Sequence, residues 1–489
     1  MNLRPLKLTL VAGAFCTTQV HALPIDWHGT FGVDTTMISG YRLIKNETDT
    51  ASVGNAGSQE VSSADGSKQS ASWQSYVFRL NPEILINDSA TFKGEFSTGY
   101  GSGGTLGDAP ETRKESTTAN NRIGDALYYY NQTSGKELTL TKAYLEIYSD
   151  TATYQVGRHT YNWGLGALYN DGGNAWDRFS YSRDGVTMKV KLGNFHANPF
   201  WSKIANTDSL ARGTYAKEYG IGLLYDNPEK DIAFGLNYTV KSSSSLNATY
   251  KTDTSGATRT IGKADVKVTD IYFKKIFGKF DFAVEVPLLN GDIGGANAAG
   301  NPTKLSSKAV VFESNYRHSE AVTFGFDAGN IDGNDSNAGQ FDAAYLNPNF
   351  HVANILFRYN MAAVKDESQS IYDSYMTNAL YLKARAQYRT EKWIFDGAII
   401  HAKANETATA GANSYNHTKH KYFTAAATQD DTMGTEVDLG ATYKWNNEIS
   451  IGTKLGYLFT GDYYGFNDTA TPNETKNALL LQANVGVTF

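Results

Sequence analysis

From Ile25 to Phe489 the chain repeats one pattern: apolar and polar residues alternate one for one in short stretches. Val437, Leu439, Ala441, Tyr443 and Trp445 alternate with Glu436, Asp438, Gly440, Thr442 and Lys444. Ile232, Phe234, Leu236, Tyr238 and Val240 alternate in the same way with Asp231, Ala233, Gly235, Asn237 and Thr239. A period of two puts one set on each face of a β-strand, and a helical period does not fit it. No stretch approaches the roughly 20 apolar residues that a membrane-crossing helix needs. A soluble sandwich would alternate too, so the connections have to decide.

They alternate short and long. Tight turns fall at Asn87-Asp88, Asp150-Thr151, Gly193-Asn194, Asn227 to Lys230, Gly278-Lys279, His318-Ser319, Thr390-Glu391 and Asn446-Asn447. Between them lie segments rich in Ser, Thr, Asn, Gly and Asp: 45–70, 101–136, 161–184, 205–214, 241–263, 290–305, 330–375, 403–432 and 461–475. Eight short turns and nine long loops join 18 strands. The expected fold is all-β, a transmembrane antiparallel up-and-down barrel with short periplasmic turns and long extracellular loops.

Lipid cannot hydrate a charge, so the apolar set is expected outside and the polar set toward a watery lumen. Trp73, Tyr76, Tyr225, Tyr316, Tyr388, Trp393, Trp445 and Tyr457 would supply aromatic girdles at the two interfaces. The last segment alternates through Leu479, Leu481, Ala483, Val485 and Val487 to Phe489. Such a terminal aromatic resembles the signal read by the outer-membrane assembly machinery, which is therefore an expected partner.

The N-terminus gives an address. Arg4 and Lys7 precede an apolar stretch from Leu8 to Phe15, and a polar tail ends Val20-His21-Ala22. That order is a secretory signal over 1–22, leaving 23–489 as one barrel domain in the bacterial outer membrane. The sole cysteine, Cys16, lies inside the signal. A net charge of −6 disfavours nucleic acid as a partner. Outer-membrane lipid and lipopolysaccharide, small polar solutes and further copies of the chain are the partners expected.

An 18-strand barrel is too wide to be filled by its own wall residues, so passage of small hydrophilic solutes is the default expectation. The inward faces carry Arg79, Lys93, Lys189, Lys191, Arg317, Lys383, Arg385, Arg389, Lys444 and Lys454 against Glu83, Glu95, Asp231, Asp281, Glu285, Glu313, Asp327, Glu436 and Asp438. Lys383, Arg385 and Arg389 share one strand, while Asp231, Asp281 and Glu285 sit well before it. Opposed clusters across a narrow pore set up a transverse field that ranks anions against cations.

The loop 330–375 stands apart. Phe350, Ala353, Phe357, Met361 and Val364 recur at helical spacing, which predicts an apolar helix over 349–364. An extra strand over 352–359 is the alternative. A helix there would bury its face in the barrel mouth and narrow it, with Phe357 in the constriction loop and His351 and Arg358 lining the gap.

A catalytic search yields little. There is no Gly-x-Ser-x-Gly, no His-Glu-x-x-His, and no thiol after residue 22. Asn416-His417-Thr418-Lys419-His420 lacks an evident third metal ligand, and Asp332, Asn334, Asp335 and Asn337 miss the spacing of a calcium loop. No enzyme activity, metal or cofactor is implied.

The run Gly157-Arg158-His159-Thr160-Tyr161-Asn162-Trp163-Gly164-Leu165-Gly166, followed by Asn170-Asp171-Gly172-Gly173 and Asp177-Arg178, carries a resemblance. It resembles the strand end Gly-Arg … Trp-Gly of large porin-like outer-membrane barrels, including alginate-export-like proteins, with His159 where Gln is common. The resemblance implies 18 strands, a lumen for a small or linear polar solute, and Arg158 on the pore wall. A channel is thus the leading expectation. A surface adhesin working through its loops, or an outer-membrane hydrolase, is the alternative.

Overall fold

The computed structural model describes residues 25–45, 69–98, 138–206, 215–243, 246–252, 257–261, 264–293, 304–336, 339–361, 371–467 and 471–489. The expected signal segment 1–22, the loop 101–136 and most of the loop 45–70 lie outside them.

Eighteen strands hydrogen-bond edge to edge in one sheet. The first, Ile25–Ser39, pairs antiparallel with both Ser70–Asn87 and the last, Ala478–Thr488, so the sheet closes on itself. Phe489 completes the seam: its N–H donates to the Gly29 carbonyl at 3.0 Å, and its carbonyl accepts the Gly29 N–H at 2.8 Å. A closed barrel has no open edge, as a bilayer requires.

All eight tight turns fall where the turn residues place them. Gly193-Asn194, for example, joins the strand Ser182–Leu192 to Phe195–Asn206, and the turn at Asn446-Asn447 joins Thr432–Lys444 to Ile449–Thr460. The nine long connections all leave the opposite end. Two of them carry small hairpins, Leu246–Thr252 with Ala257–Ile261 and Asn413–Asn416 with Lys421–Thr424. Short turns mark the periplasmic end and long loops the extracellular end.

The outer surface is apolar. Phe31, Val33, Met37, Leu223, Phe326, Leu382, Ile399, Leu439, Leu481 and Val485 are all exposed there, where lipid would cover them. Aromatic rings gather at the short-turn end: Phe195 on Tyr225 at 4.8 Å, Tyr225 on Phe234 at 5.0 Å, and Trp393 on Tyr443 at 4.8 Å. Seven of the eight expected girdle residues face outward. Trp73 does not; it turns inward, edge-on to Tyr359 at 5.1 Å.

The rule that apolar residues face lipid fails at the long-loop end. Ile38, Val77, Val268, Leu289, Val311, Ile331, Ile400, Leu458 and Leu480 point inward, each fully or almost fully buried. They form an apolar collar around the inner wall, against which two loops pack. Burying each such side chain contributes about 1.5–3 kcal/mol, and this draws the loops into the barrel.

The expected helix over 349–364 is absent from the described part of that segment. Residues 349–360 are turns and irregular chain, and Val364 lies outside the described residues. Nor is 352–359 a strand. Phe350, Val352, Ala353, Ile355, Leu356, Tyr359 and Met361 are buried on every side of the chain, and not along one stripe. Phe357 has a left-handed backbone (φ 61°), which a helix excludes.

Candidate functional site

The loop 161–181 crosses the lumen. One limb is tied to Glu285, whose carboxylate accepts the backbone N–H groups of Leu165, of Ala167 at 3.3 Å and of Leu168 at 3.4 Å. The other limb is tied to Arg79, which donates to the carbonyls of Gly172, of Asn174 at 3.1 Å and of Asp177. Arg178 then pairs with Asp34 at 2.6 Å. Between the strand Phe280–Asp292, which holds Glu285, and the pair Ile25–Ser39 and Ser70–Asn87 lie eight barrel strands one way round and seven the other. The anchors are therefore on opposite walls.

Glycine makes the crossing possible. Gly164 has a left-handed backbone (φ 57°), and a Cβ there would come within 2.5 Å of the Glu285 carboxylate. At the far wall, a Cβ on Gly32 would come within 2.7 Å of the Trp176 ring. The first of these contacts supplies the local reason for Gly164 in the Trp-Gly-x-Gly run.

The second inward segment, 339–361, is held the same way. Glu436 accepts the N–H of Asn354 at 3.0 Å, of Ile355 at 2.7 Å and of Leu356 at 2.8 Å. Asp438 accepts the Asn354 N–H as well, at 3.0 Å. A carboxylate facing several backbone donors replaces the carbonyl partners a helix would have supplied. Asn349 joins the two inward segments, since its Oδ1 accepts the N–H of both Arg178 and Phe179 at 3.1 Å.

Several charges expected on the pore wall stand elsewhere. Asp231 is in a periplasmic turn, exposed, with a left-handed backbone (φ 51°). Glu285 faces inward but is fully buried beneath the loop it anchors. Arg79 is hidden under the same loop. Arg158 lies opposite Ala143 and Asp184 in register, on the face that carries Leu145, Val156 and Val186, so it points outward. There it forms a buried pair with Asp184 at 2.6 Å. The glycine at 157 and the polar neighbours hid this, because His159, not Arg158, takes the inward position and meets Thr187 at 2.7 Å.

The other wall charges do face the lumen. Lys189, Lys191, Arg317 and Arg389 are exposed near the periplasmic end. Asp281 lies beside them and is paired with Arg317 at 2.6 Å. Arg385 is paired with Asp327 at 2.8 Å, Lys93 with Glu146 at 2.9 Å, and Lys142 with Glu95 at 2.9 Å. Lys383 and Lys454, and Arg358 on the inward segment, make no side-chain hydrogen bond or ion pair with a described residue. Lys454 lies within electrostatic range of Arg358 and of the Asp438, Asp396 and Asp34 carboxylates, Lys383 within range of Asp327, Asp438 and Glu313, and His351 within range of Arg358 and Lys454.

Asn349, Arg178 and Asp34 escaped sequence reasoning. A signal for the inward collar was present: alternation breaks down in Leu288-Leu289, Val310-Val311, Ile399-Ile400 and Leu479-Leu480-Leu481, where both faces are apolar. Above the collar, His417 ties the hairpin Asn413–Asn416 and Lys421–Thr424 to the loop beneath. Its Nε2 accepts the Asn334 N–H at 2.8 Å, and Nδ1 faces the Asn378 side-chain amide at 3.2 Å. Both ring nitrogens are thus engaged with protein groups. Burial pushes the imidazole down to about 3, with His420 adding to the shift.

An 18-strand closed barrel with a lipid-facing apolar exterior, one-sided long loops and a charged interior defines an outer-membrane barrel of porin architecture. Among solved structures it is similar to OpdQ of Pseudomonas aeruginosa, at 9% identity over 95% of this chain and 98% of that one, with a TM-score of 0.49. It is similar also to OccK9 (OpdG) of Pseudomonas aeruginosa, at 11% identity over 95% and 99%, with a TM-score of 0.47. A third is the anion-selective porin from Comamonas acidovorans, at 8% identity over 95% and 99%, with a TM-score of 0.41. No protein-family model and no curated protein matches the chain.

Proposed function

We propose that this chain is a diffusion channel for small hydrophilic solutes and ions, with a preference for anions. One observation carries the reading. At mid-barrel the inward charges Lys383, Arg385, Asp396 and Lys454 keep contact with solvent, in a lumen that two inward segments narrow from above. Ionised side chains in such a narrowing act on a passing ion at short range and in low dielectric.

The preference follows from which charges are free. Glu285, Glu436 and Asp438 are engaged with backbone donors, and Asp327 and Asp281 with arginines. Lys383, Lys454 and Arg358 are left to face the passage, and they outnumber the inward carboxylates Glu313 and Asp396, the second of which accepts from the Gln387 amide at 2.8 Å. The test is single-channel conductance of the refolded mature protein in a planar bilayer, with reversal potential across a salt gradient. Discrete steps reversing on the anion side support the channel. No steps from protein shown by circular dichroism to be folded would refute it and favour a surface role for the loops.

A further inference from the structure

We propose that the water-filled route through this barrel is off-axis. It runs along the wall formed by Ala379–Arg389, Trp393–Lys403, Thr432–Lys444 and Ile449–Thr460, while the wall from Ser182–Leu192 to Phe280–Asp292 is sealed. The inference deepens the channel reading, on which it rests, and names the residues that line its route.

The two walls differ at equal height. Five residues above the short-turn end, the first wall presents Ala398, partly exposed, and Lys454, exposed. At the same count the second presents Thr187 at 2%, Phe200 at 6%, Asn237 at 0% and Glu285 at 0% exposure, with Tyr272 half-buried among them. The seal is a packed polar and aromatic layer beneath the crossbar loop. The Arg183 guanidinium, fully buried, lies 3.6 Å from the Tyr161 ring centre and 3.3 Å from that of Phe200. Glu218 accepts from Ser202 at 2.9 Å and from the Tyr181 hydroxyl. Tyr161 donates to Asn237 at 3.1 Å. Because the crossbar joins opposite walls, it divides the lumen, and only the half facing Lys383 and Lys454 stays open to water.

The barrel domain has no cysteine, so single cysteines can be read without background. Ala398→Cys, Lys454→Cys, Thr187→Cys and Asn237→Cys are each exposed to a small anionic methanethiosulfonate, with labelling followed by mass and conductance by bilayer recording. The expected result is labelling at 398 and 454 with conductance falling about twofold or more, and no labelling at 187 or 237. Labelling at 187 or 237 as fast as at 454 would overturn the proposal. Absence of conductance steps with the labelling still split between the walls would instead sink the channel reading alone. If Asn237→Cys does not fold, the unsubstituted barrel is treated with a water-soluble amine acylating reagent. Lys454 should then react and Lys241, on the sealed wall, should stay intact; modified Lys241 in folded barrel would overturn the route.

Discussion

The side chain of Asn349 holds the backbone of Phe179 at both ends: Oδ1 accepts the Phe179 N–H at 3.1 Å, and Nδ2 donates to the Phe179 carbonyl at 2.6 Å. This pairing of one inward segment with the other, 170 residues apart in the chain, makes the narrowing one unit. Each segment has its own carboxylate anchor on the wall, and the two share the Asn349 contact between them.

Asn349→Ala should therefore loosen both segments. It removes the Asn349 bonds to the Phe179 N–H and carbonyl and to the Arg178 N–H, and each buried hydrogen bond contributes about 0.5–1.5 kcal/mol. A lowered thermal unfolding midpoint and a raised single-channel conductance are expected. Conductance equal to that of the unsubstituted barrel would show that these segments do not bound the passage.

Glu436→Ala should release the second segment, because the Ile355 and Leu356 N–H groups lose their acceptor and the Asn354 N–H keeps only Asp438. Glu436→Gln keeps a carbonyl oxygen and should fall between the two. Conductance ordered Ala above Gln above Glu is the expected outcome in bilayer recordings; Ala and Gln indistinguishable from Glu would contradict the anchoring.

Lys383→Glu and Lys454→Glu should shift the reversal potential toward cations, since each reverses a charge that makes no ion pair with a described residue. Arg317→Gln should do less, because Arg317 stands at the periplasmic mouth beside Asp281. At molar salt, where the screening length is about 3 Å, the shifts should shrink. Equal effects at all three positions would mean that the mid-barrel charges have no special standing.

Acid should open the extracellular hairpin. His417 is held down at about 3 against an ordinary value of 6.5, so its folded environment favours the neutral ring. The unfolded hairpin then binds more protons between those values, and stability rises with pH across that window. The contribution is complete above about 6.5 and is lost as pH falls toward 3. Hydrogen-exchange protection at the Asn334 amide, corrected for intrinsic rates, should drop by up to about tenfold per pH unit in that range. Protection unchanged on acidification through that window would count against the His417 tie.

The barrel itself was legible because its determinants are local. Alternation and turn residues such as Gly193-Asn194 and Gly278-Lys279 specify where each strand ends, and the strand count follows. The burial of 350–361 was legible as well, but its form was not. Phe350, Ala353, Phe357 and Met361 fit a helical period, yet the segment is enclosed on all sides, so no single face had to be apolar. Arg158 was placed on the wrong face because one residue decides which side a strand residue takes.

Local pattern alone thus specifies a closed barrel of 18 strands, its outward apolar belt and most of the inward charges, Arg158 and Asp231 excepted, since each depends on neighbours within one strand or turn. Which of those charges stay free is a property of the packed molecule. Asp34 is taken by Arg178, 144 residues away, and Glu285 by Leu165, 120 residues away. Carboxylates that look alike in the chain become loop anchors or pore-lining groups according to whether backbone donors reach them, and that depends on where distant loops come to rest.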